Sequence, residues 1–346
     1  MPPRITQRDI ARTAGVSHVT VSLALRDHHS ISKETRDRIK AIADQIGYAP
    51  DPMLVGLSAY RRSVRPAAYQ SNIGWINAHQ NPADLYVGEY REYYDGALQR
   101  AKELGYIVES VNLSEFNYDP QSIARVLRSK GIHCLVLAPC ERTGSELHID
   151  FSRYCAVRLG YSYRFPALHT VTNAQFRTAT QATERLMALG YQRIGLVLSE
   201  DVNKRTAWNF LGGFNAALQD LPQSCRIPPC SLNPHEADKI ARWLTKNKVD
   251  CVLGQGYWLL QILRDKGMQV PEDLGYADLA LNRDESRVSG MSQNACLSGV
   301  AAIDLLNGMM QRGETGIPDV PMHLYTEGQW IEGTTVQKRH PSSLTE

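Results

Sequence analysis

The first 47 residues combine short amphipathic segments with signals for where helices begin and end. Thr6 is followed three residues later by Asp9, a relative of the capping box, so a helix should start at Thr6. Gly15 suits a tight turn because glycine adopts a positive φ without strain, and Ser17 can cap a second helix. This order of residues predicts two short helices that meet at a sharp corner.

The next two segments have apolar faces with helical spacing. Val21, Ala24 and Leu25 fall at i, i+3 and i+4, so we expect them to face inward. A third helix, from Ser32 to Gly47, has the apolar stripe Ile39, Ile42, Ala43 and Ile46. Two short helices around a glycine turn with a third bracing helix are typical of a helix-turn-helix unit, although plain three-helix bundles share the pattern.

The charge of the chain divides along its length. Residues 1–65 carry 11 Lys and Arg against 6 Asp and Glu, a net charge of +5, whereas the whole chain has a net charge of +2. The remainder is therefore slightly acidic, at −3. A basic head on an acidic body indicates a nucleic-acid-binding module attached to a separate globular unit.

Length and composition limit the remaining choices. With 346 residues, 43% hydrophobic and 21% charged, the chain can form more than one folded domain. No apolar run approaches the ~18 residues of a membrane span, and the N-terminus lacks the apolar core of a secretion signal. The seven cysteines are scattered and form no CxxC pair. We therefore expect a reduced, cytoplasmic protein without a membrane partner.

Two patterns that could indicate a cofactor or a metal are incomplete. Gly254-Gln255-Gly256 follows an apolar run, but Leu259 stands where a dinucleotide-binding loop needs its third glycine. His28-His29 has no further ligands at zinc spacing. The sequence also lacks the spacing of a catalytic triad or a Walker loop. We expect neither cofactor nor metal nor enzymatic activity.

From Asn72 onwards, short apolar runs alternate with amphipathic stretches. The predicted strands are Ile73–Asn77, Tyr106–Val111, Cys134–Ala138, Cys155–Gly160, Ile194–Ser199, Cys251–Gly254 and Leu274–Leu281. Helical patterns lie between them, and Gly105 and Gly190 end two of these. The alternation predicts parallel sheets in a doubly wound α/β fold, and about 270 residues suit two such subdomains with a cleft between them.

The stretches IARTAGVS, TVSLAL, ISKETRDRI and IGYAPDP resemble the DNA-binding head of the LacI family of bacterial transcription regulators, over residues 4–62. The resemblance implies that the second helix lies in the major groove of duplex DNA. His18, Val19 and Leu23 stand where the family reads bases, and the last two can pack on a thymine methyl group. For Leu23, burial in the core of the head is the alternative. The side chains that can donate to phosphates are Thr6, Ser17, Thr20, Ser22 and Tyr48.

Residues 51–62 correspond to the hinge helix of that family, which is ordered when a dimer sits on DNA. Leu57 aligns with the leucine that wedges into the minor groove and kinks the duplex. Arg61 and Arg62 would neutralise phosphates. Gly56 lowers intrinsic helicity by about 1 kcal/mol relative to alanine, which fits a hinge that folds on DNA. An ordinary linker with a chance leucine is the alternative.

The body resembles the LacI-family core, which is similar to a sugar-binding periplasmic protein. The matching stretches are GALQRAKELGY, ATERLMALGYQRIGLVLSE, GGFNAAL, KGMQVPEDLG and GQWIEGTT. In that fold the chain crosses between subdomains three times, here near residues 162, 290 and 322. The expected domains are a helix-turn-helix domain at 1–50, a hinge and linker at 51–71, and an effector-binding and dimerisation core at 72–346. Within the core, the N-subdomain would comprise 72–162 and 291–321, and the C-subdomain 163–290 and 322–346.

The sequence departs from the family at polar positions of the ligand cleft. Ala174-Gln175 replaces a frequent Asp-Asn, Phe210 replaces an arginine that grips sugar hydroxyls, and Ala280 stands near an expected aspartate. The usual hydrogen-bonding set for a sugar is therefore depleted. Strand ends supply three aromatic candidates for effector binding, since ligands bind there in open α/β sheets: Tyr86, Trp208 and Trp258. Arg205 and Gln255 could supply the polar hydrogen bonds. For each aromatic residue, core packing is the alternative.

These patterns predict a homodimeric transcriptional repressor that binds a pseudo-palindromic operator, because one head reads only a half-site. A small-molecule effector, sugar-like, would shift the population that can bind DNA. One alternative is a small-molecule-binding protein or a two-domain α/β enzyme, neither of which needs the head. Another is a DNA-binding regulator with a vestigial effector site that responds to a protein partner.

Overall fold

The computed structural model describes residues 5–25, 31–48, 71–140, 143–282 and 287–339. The predicted hinge, with Leu57, Arg61 and Arg62, lies outside these ranges. The other predicted site residues lie within them.

The N-terminal residues form three helices, α1 (Gln7–Ala14), α2 (His18–Ala24) and α3 (Lys33–Gln45). The amide and the hydroxyl of Thr6 both donate to the Asp9 carboxylate, at 2.9 and 2.7 Å. Gly15 turns the chain with φ +64°, and the Ser17 hydroxyl accepts the Thr20 amide at 3.0 Å. The buried core of the head is Ile10, Ala14, Val21, Ala24, Ile39 and Ala43. The predicted helix-turn-helix arrangement is confirmed.

Residues 71–339 form α/β layers. The strands are β1 (Ser71–Asn77), β2 (Tyr106–Asn112), β3 (Ile132–Leu137), β4 (Ser145–Glu146), β5 (Cys155–Leu159), β6 (Tyr163–Phe165), β7 (His169–Asn173), β8 (Ile194–Val197), β9 (Cys251–Gly254), β10 (Gly275–Leu281), β11 (Gly290–Ser292), β12 (His323–Thr326) and β13 (Gln329–Ile331). The helices are α4 (Gly88–Leu104), α5 (Pro120–Ser129), α6 (Gln175–Ala188), α7 (Glu200–Arg205), α8 (Asn209–Ala217), α9 (Ala237–Lys246), α10 (Tyr257–Asp265) and α11 (Ala295–Arg312). Short 3-10 helices occupy Pro82–Tyr86, Leu113–Phe116, Phe151–Arg153, Leu218–Asp220, Gln223–Cys225 and Pro234–Glu236.

The strands form two main sheets. The first has the order β12-β7-β5-β3-β1-β2 and the second β13-β11-β10-β9-β8, while β4 and β6 pair separately. Neighbouring strands are parallel except β11 and β13. In the first sheet, α4 and α11 cover one face and α5 the other. In the second sheet, α6 and α8 cover one face and α9 and α10 the other. Burial on both faces explains the continuous apolar runs of the central strands.

All seven predicted strands are present, but the crossings between subdomains lie later than expected. Because β7 and β12 belong to the first sheet and β11 to the second, the chain crosses near residues 174, 293 and 327 rather than 162, 290 and 322. The strand β7 has the sequence HTVTN, and all five residues are buried. Its polar composition hides it from a search for apolar runs, which displaces the first boundary.

Helices α4 and α11 pack so closely that their backbones are in contact. A Cβ built on Gly299 would lie 2.0 Å from the Tyr93 carbonyl oxygen, and one on Gly96 would lie 2.0 Å from the Cys296 carbonyl oxygen. The approach therefore requires glycine on both helices. This contact positions α4, whose first turn carries cleft residues.

Candidate functional site

The exposed face of α2 is the candidate DNA-reading surface. Val19 is 65% exposed, and His18 is exposed beside it at the N-terminal end of the helix. Leu23 is half-buried. Val21 and Ala24 on the opposite face are completely buried. The helix therefore holds Val19 and His18 in solvent while its other face supports the fold.

The predicted phosphate donors are Thr6, Ser17, Thr20, Ser22 and Tyr48. The Ser17 and Thr20 hydroxyl oxygens are 2.8 Å apart and share one hydrogen bond. The hydroxyl of Thr6 donates to Asp9. The Tyr48 phenol accepts a hydrogen bond from Gln7 Nε2 at 3.2 Å, so its own hydrogen can point outward to a phosphate.

A narrow cleft with a cavity volume of about 40 Å³, partly open to solvent, lies between the two subdomains. The first subdomain contributes the first turn of α4 and the residues at the carboxyl ends of β5 and β7. The second contributes the first residue of α6, the end of α7, the start of α8, the loop after β9, the end of β10 and the residue after β11. The polar lining residues are Glu89, Tyr90, Tyr161, Ser162, Thr172, Gln175, Arg205, Thr206, Gln255 and Gln293.

A charged contact spans this cleft. Arg205 of α7 donates from Nη1 to the Tyr90 hydroxyl at 3.0 Å, and Glu89 lies beside it on α4. Burial by itself would lower the pKa of Arg205, but Tyr90 and Glu89 raise it above its ordinary value. Burial raises the pKa of the Glu89 carboxyl above 4.5, and Arg205 offsets only part of that rise. A ligand that binds Arg205 or the Tyr90 hydroxyl therefore competes with a hydrogen bond between the subdomains.

Two buried amide oxygens in the cleft lack hydrogen-bond donors within the described ranges. Oε1 of Gln175 and Oε1 of Gln255 are shielded from solvent and accept no hydrogen bond from any residue that the structure describes. The loop that carries Gln255 is held by Asp278, which is 1% exposed and accepts the Gly256 amide at 2.8 Å. The Tyr276 hydroxyl donates to the same carboxylate at 2.7 Å. Unsatisfied buried acceptors favour a ligand with N–H or O–H groups.

The three departures from the family pattern all fall on the cleft wall: Gln175, Phe210 and Ala280. Phe210 is 2% exposed and belongs to the core of the second sheet. Asp278 lies only two residues before Ala280, but its carboxylate holds the 254–256 loop. The cleft thus retains its place in the fold with an altered set of polar groups.

The structure separates the five predicted effector-binding residues. Arg205 and Gln255 line the cleft. Trp208 lines another pocket, and Trp258 packs against the core of the second sheet. Tyr86 is 57% exposed, with its ring 6.1 Å from that of Tyr94. The roles of these residues in effector binding stay predictions.

Sequence reasoning missed the cleft residues Glu89, Tyr90 and Tyr161. Tyr161 follows the carboxyl end of β5, so the strand-end criterion could have found it. Glu89 and Tyr90 lie in the first turn of α4, 12 and 13 residues beyond the end of β1 at Asn77. A 3-10 helix lies between β1 and α4, so the sequence shows no simple spacing from the end of β1 to Glu89 and Tyr90.

A helix-turn-helix head and a two-sheet α/β core around a polar cleft define a DNA-binding regulator with a ligand-binding core. Residues 6–51 match the model for bacterial regulatory proteins of the lacI family, and residues 79–240 match that for periplasmic binding proteins and the sugar binding domain of the LacI family. The chain belongs to the LacI family of bacterial transcription regulators.

Curated relatives and solved structures agree with this assignment. The HTH-type transcriptional repressor PurR of Haemophilus influenzae is 23% identical over 332 residues, which cover 90% of this chain and 93% of PurR. The HTH-type transcriptional regulator GalS of Salmonella typhimurium is 26% identical over 215 residues, 59% of this chain and 58% of GalS.

Two solved structures share the fold over nearly the whole chain. The complex of the transcriptional regulator CelR with cellobiose has a TM-score of 0.56 at 18% identity and covers 96% of this chain and 100% of its own. The lac repressor dimer bound to operator and the anti-inducer ONPF has a TM-score of 0.55 at 16% identity, with 97% and 100% coverage. Within the described ranges, no helix has the length and apolar character to cross a membrane.

Proposed function

We propose that this protein is a homodimeric transcriptional repressor whose operator binding is controlled by a small-molecule effector in the cleft. The observation that carries the proposal is the N-terminal end of α2, where His18 and Val19 are exposed above a buried opposite face. One head covers a half-site, so a pseudo-palindromic operator needs two copies. PurR is a repressor, and the lac repressor was solved as a dimer on its operator, which supports both points.

The relatives described above are transcription regulators, so we propose regulation rather than catalysis as the activity. We place the protein in the cytoplasm, where its DNA target is accessible. The hinge at 51–62 is proposed to connect the effector-binding core to the DNA-binding head.

The chemistry of the cleft supports a sugar-like effector with several hydroxyl groups. Gln175 and Gln255 offer acceptors for hydroxyl hydrogens, and Arg205 offers donors. The cellobiose complex of CelR is consistent with this class of ligand. Because both subdomains line the cleft, a bound ligand would change their relative position and so the population that binds DNA.

Selection of binding sites from random duplex DNA with the full-length protein tests the DNA-binding proposal. We expect a pseudo-palindrome to be enriched, and the logarithm of affinity should fall by about 0.9 per neutralised phosphate for each logarithmic unit of salt. Val19→Ala should relax the preference at one base pair of each half-site, since this side chain is 65% exposed. Leu57→Ala should weaken operator binding and leave dimerisation unchanged.

Gln45→Ala, at an exposed position of α3, is the matched control and should leave sequence preference unchanged. Failure to enrich any sequence, or affinity that is independent of salt, would refute the DNA-binding proposal.

Thermal unfolding in the presence of sugars, sugar phosphates and nucleobases tests the effector. A ligand at about 100 times its dissociation constant stabilises the folded state by roughly 2.7 kcal/mol. Arg205→Met should abolish the shift, whereas Arg264→Met, at an exposed arginine of α10, should not. A ligand that stabilises the wild-type protein and both variants equally binds outside the cleft.

A further inference from the structure

A second pocket lies on the surface of the second subdomain, and its lining shares no residue with the cleft. Its cavity volume is about 260 Å³, partly open to solvent. Its apolar walls include Leu196, Leu198, Leu211 and Pro229. The other lining residues are Asn203, Trp208, Asn215, Cys230 and Ser231.

Asn203 supplies a buried polar group in this apolar setting. The residue is 4% exposed, and its Oδ1 accepts no hydrogen bond within the part of the chain that the structure describes. A buried amide oxygen without a donor is rare in folded proteins because its desolvation is not compensated. The pocket therefore presents an acceptor that only a ligand or solvent can satisfy.

Trp208 stands at the rim in a backbone conformation that its residue type rarely adopts. The φ angles of Ala207 and Trp208 are +50° and +62°, in the left-handed region that favours glycine. The Trp208 amide donates to the Asn203 carbonyl at 2.7 Å, which holds the turn between α7 and α8. The indole is 48% exposed. Strained residues that the surrounding structure holds in place are concentrated at functional sites.

We propose that this pocket binds a small planar ligand whose apolar ring stacks on Trp208 and whose N–H group donates to Asn203 Oδ1. Most of the lining is apolar, so a ligand with many hydroxyl groups would lose more hydration than Asn203, Asn215 and Ser231 can replace. An aromatic ring keeps favourable contact with the leucine side chains and with the indole face. The buried, unsatisfied acceptor Asn203 Oδ1 accounts for the required N–H.

The new site and the cleft share one segment of chain. Asn203, Trp208 and Leu211 line the pocket, whereas Arg205, Thr206 and Phe210 line the cleft. A ligand that orders the first set therefore acts on the second, and linkage makes that effect reciprocal.

Indole and 1-methylindole are the probes, because they differ in the N–H group. Titration of the full-length protein by calorimetry should give indole an affinity at least tenfold higher than that of 1-methylindole. In Asn203→Leu the two affinities should become equal. Trp208→Gly, which suits the positive φ and removes the ring, should weaken indole binding at least tenfold.

Tyr118→Gly is the matched control, since Tyr118 is also an exposed aromatic residue, 43% exposed with φ +58°, and lies in the first subdomain. It should leave indole affinity unchanged. Equal affinities of the two probes for the wild-type protein, unchanged binding in Trp208→Gly, or no indole binding would each overturn the proposal. The comparison of indole with 1-methylindole uses only the wild-type protein, so it tests the proposal even if a variant does not fold.

Discussion

Replacement of Gly299 by alanine tests how closely α4 and α11 pack. The added Cβ would lie 2.0 Å from the Tyr93 carbonyl oxygen and 3.0 Å from the Ala97 amide nitrogen. Both are backbone atoms of α4, so relief requires a shift of the helix rather than a side-chain rotation. Overpacking costs about 1–3 kcal/mol, with this contact at the upper end, while the helix propensity of alanine returns about 1 kcal/mol. We expect the free energy of unfolding to fall by about 2 kcal/mol.

Gly308→Ala is the control because it makes the same change in the same helix. The nearest atom to its added Cβ is Arg312 Nη1 at 3.2 Å, at the end of a flexible side chain. We expect a gain of up to about 1 kcal/mol. Urea unfolding of both variants, followed by circular dichroism, measures the difference. If Gly299→Ala is as stable as the wild-type protein, or if both variants shift in the same direction, the argument from backbone contact is wrong.

Three further predictions follow from single side chains. Because the pKa of Glu89 is raised in the folded state, the folded protein binds more protons than the unfolded chain above pH 4.5, and stability should fall as pH rises from there to the folded pKa. Glu89→Gln should flatten this profile in thermal melts, and an unaltered profile would contradict the assignment. Ser17→Ala removes the cap of α2 and should lower the stability of the head by about 1 kcal/mol, read as faster amide hydrogen exchange in α2; unchanged exchange would exclude a stabilising cap. Asp278→Ala deprives the Gly256 amide of its acceptor, which should cost about 1–3 kcal/mol and weaken ligand binding in the cleft; full retention of both properties would show that the loop is held otherwise.

Local patterns predicted the head well because its determinants are close in sequence. The Thr6–Asp9 pair, Gly15 and Ser17 each act within a few residues, and the structure places all of them at the predicted ends of helices. The strands β1 and β3 were equally accessible, because burial on both faces leaves mainly apolar runs. Where the chain crosses between subdomains, polar strands such as β7 are buried by distant partners, and no local signal marks them.

The cleft could be predicted only in part. Gln255 directly follows β9, and Arg205 ends the short helix α7 that follows β8, so the topology of parallel sheets brings both to the cleft. Trp208 satisfies the same criterion but lines the second pocket, because Ala207 and Trp208 itself adopt left-handed conformations, which the sequence does not reveal at residues other than glycine. Glu89 lies at the start of α4, after a long connection from β1. Its position in the cleft depends on how α4 packs, which the local sequence does not show.

The native cysteines allow the relative motion of the two subdomains to be measured, because only two of the seven thiols are partly exposed. The pKa of the Cys134 thiol is raised to about 12 by burial, and Cys140, Cys155, Cys230 and Cys251 are buried as well. Cys225 and Cys296 are only partly buried, and they lie in the second and first subdomains respectively. Maleimide dyes should therefore react at these two positions first, since the thiolate is the nucleophile and access is required. Energy transfer between a donor and an acceptor dye would then follow opening and closing of the cleft without any engineered residue.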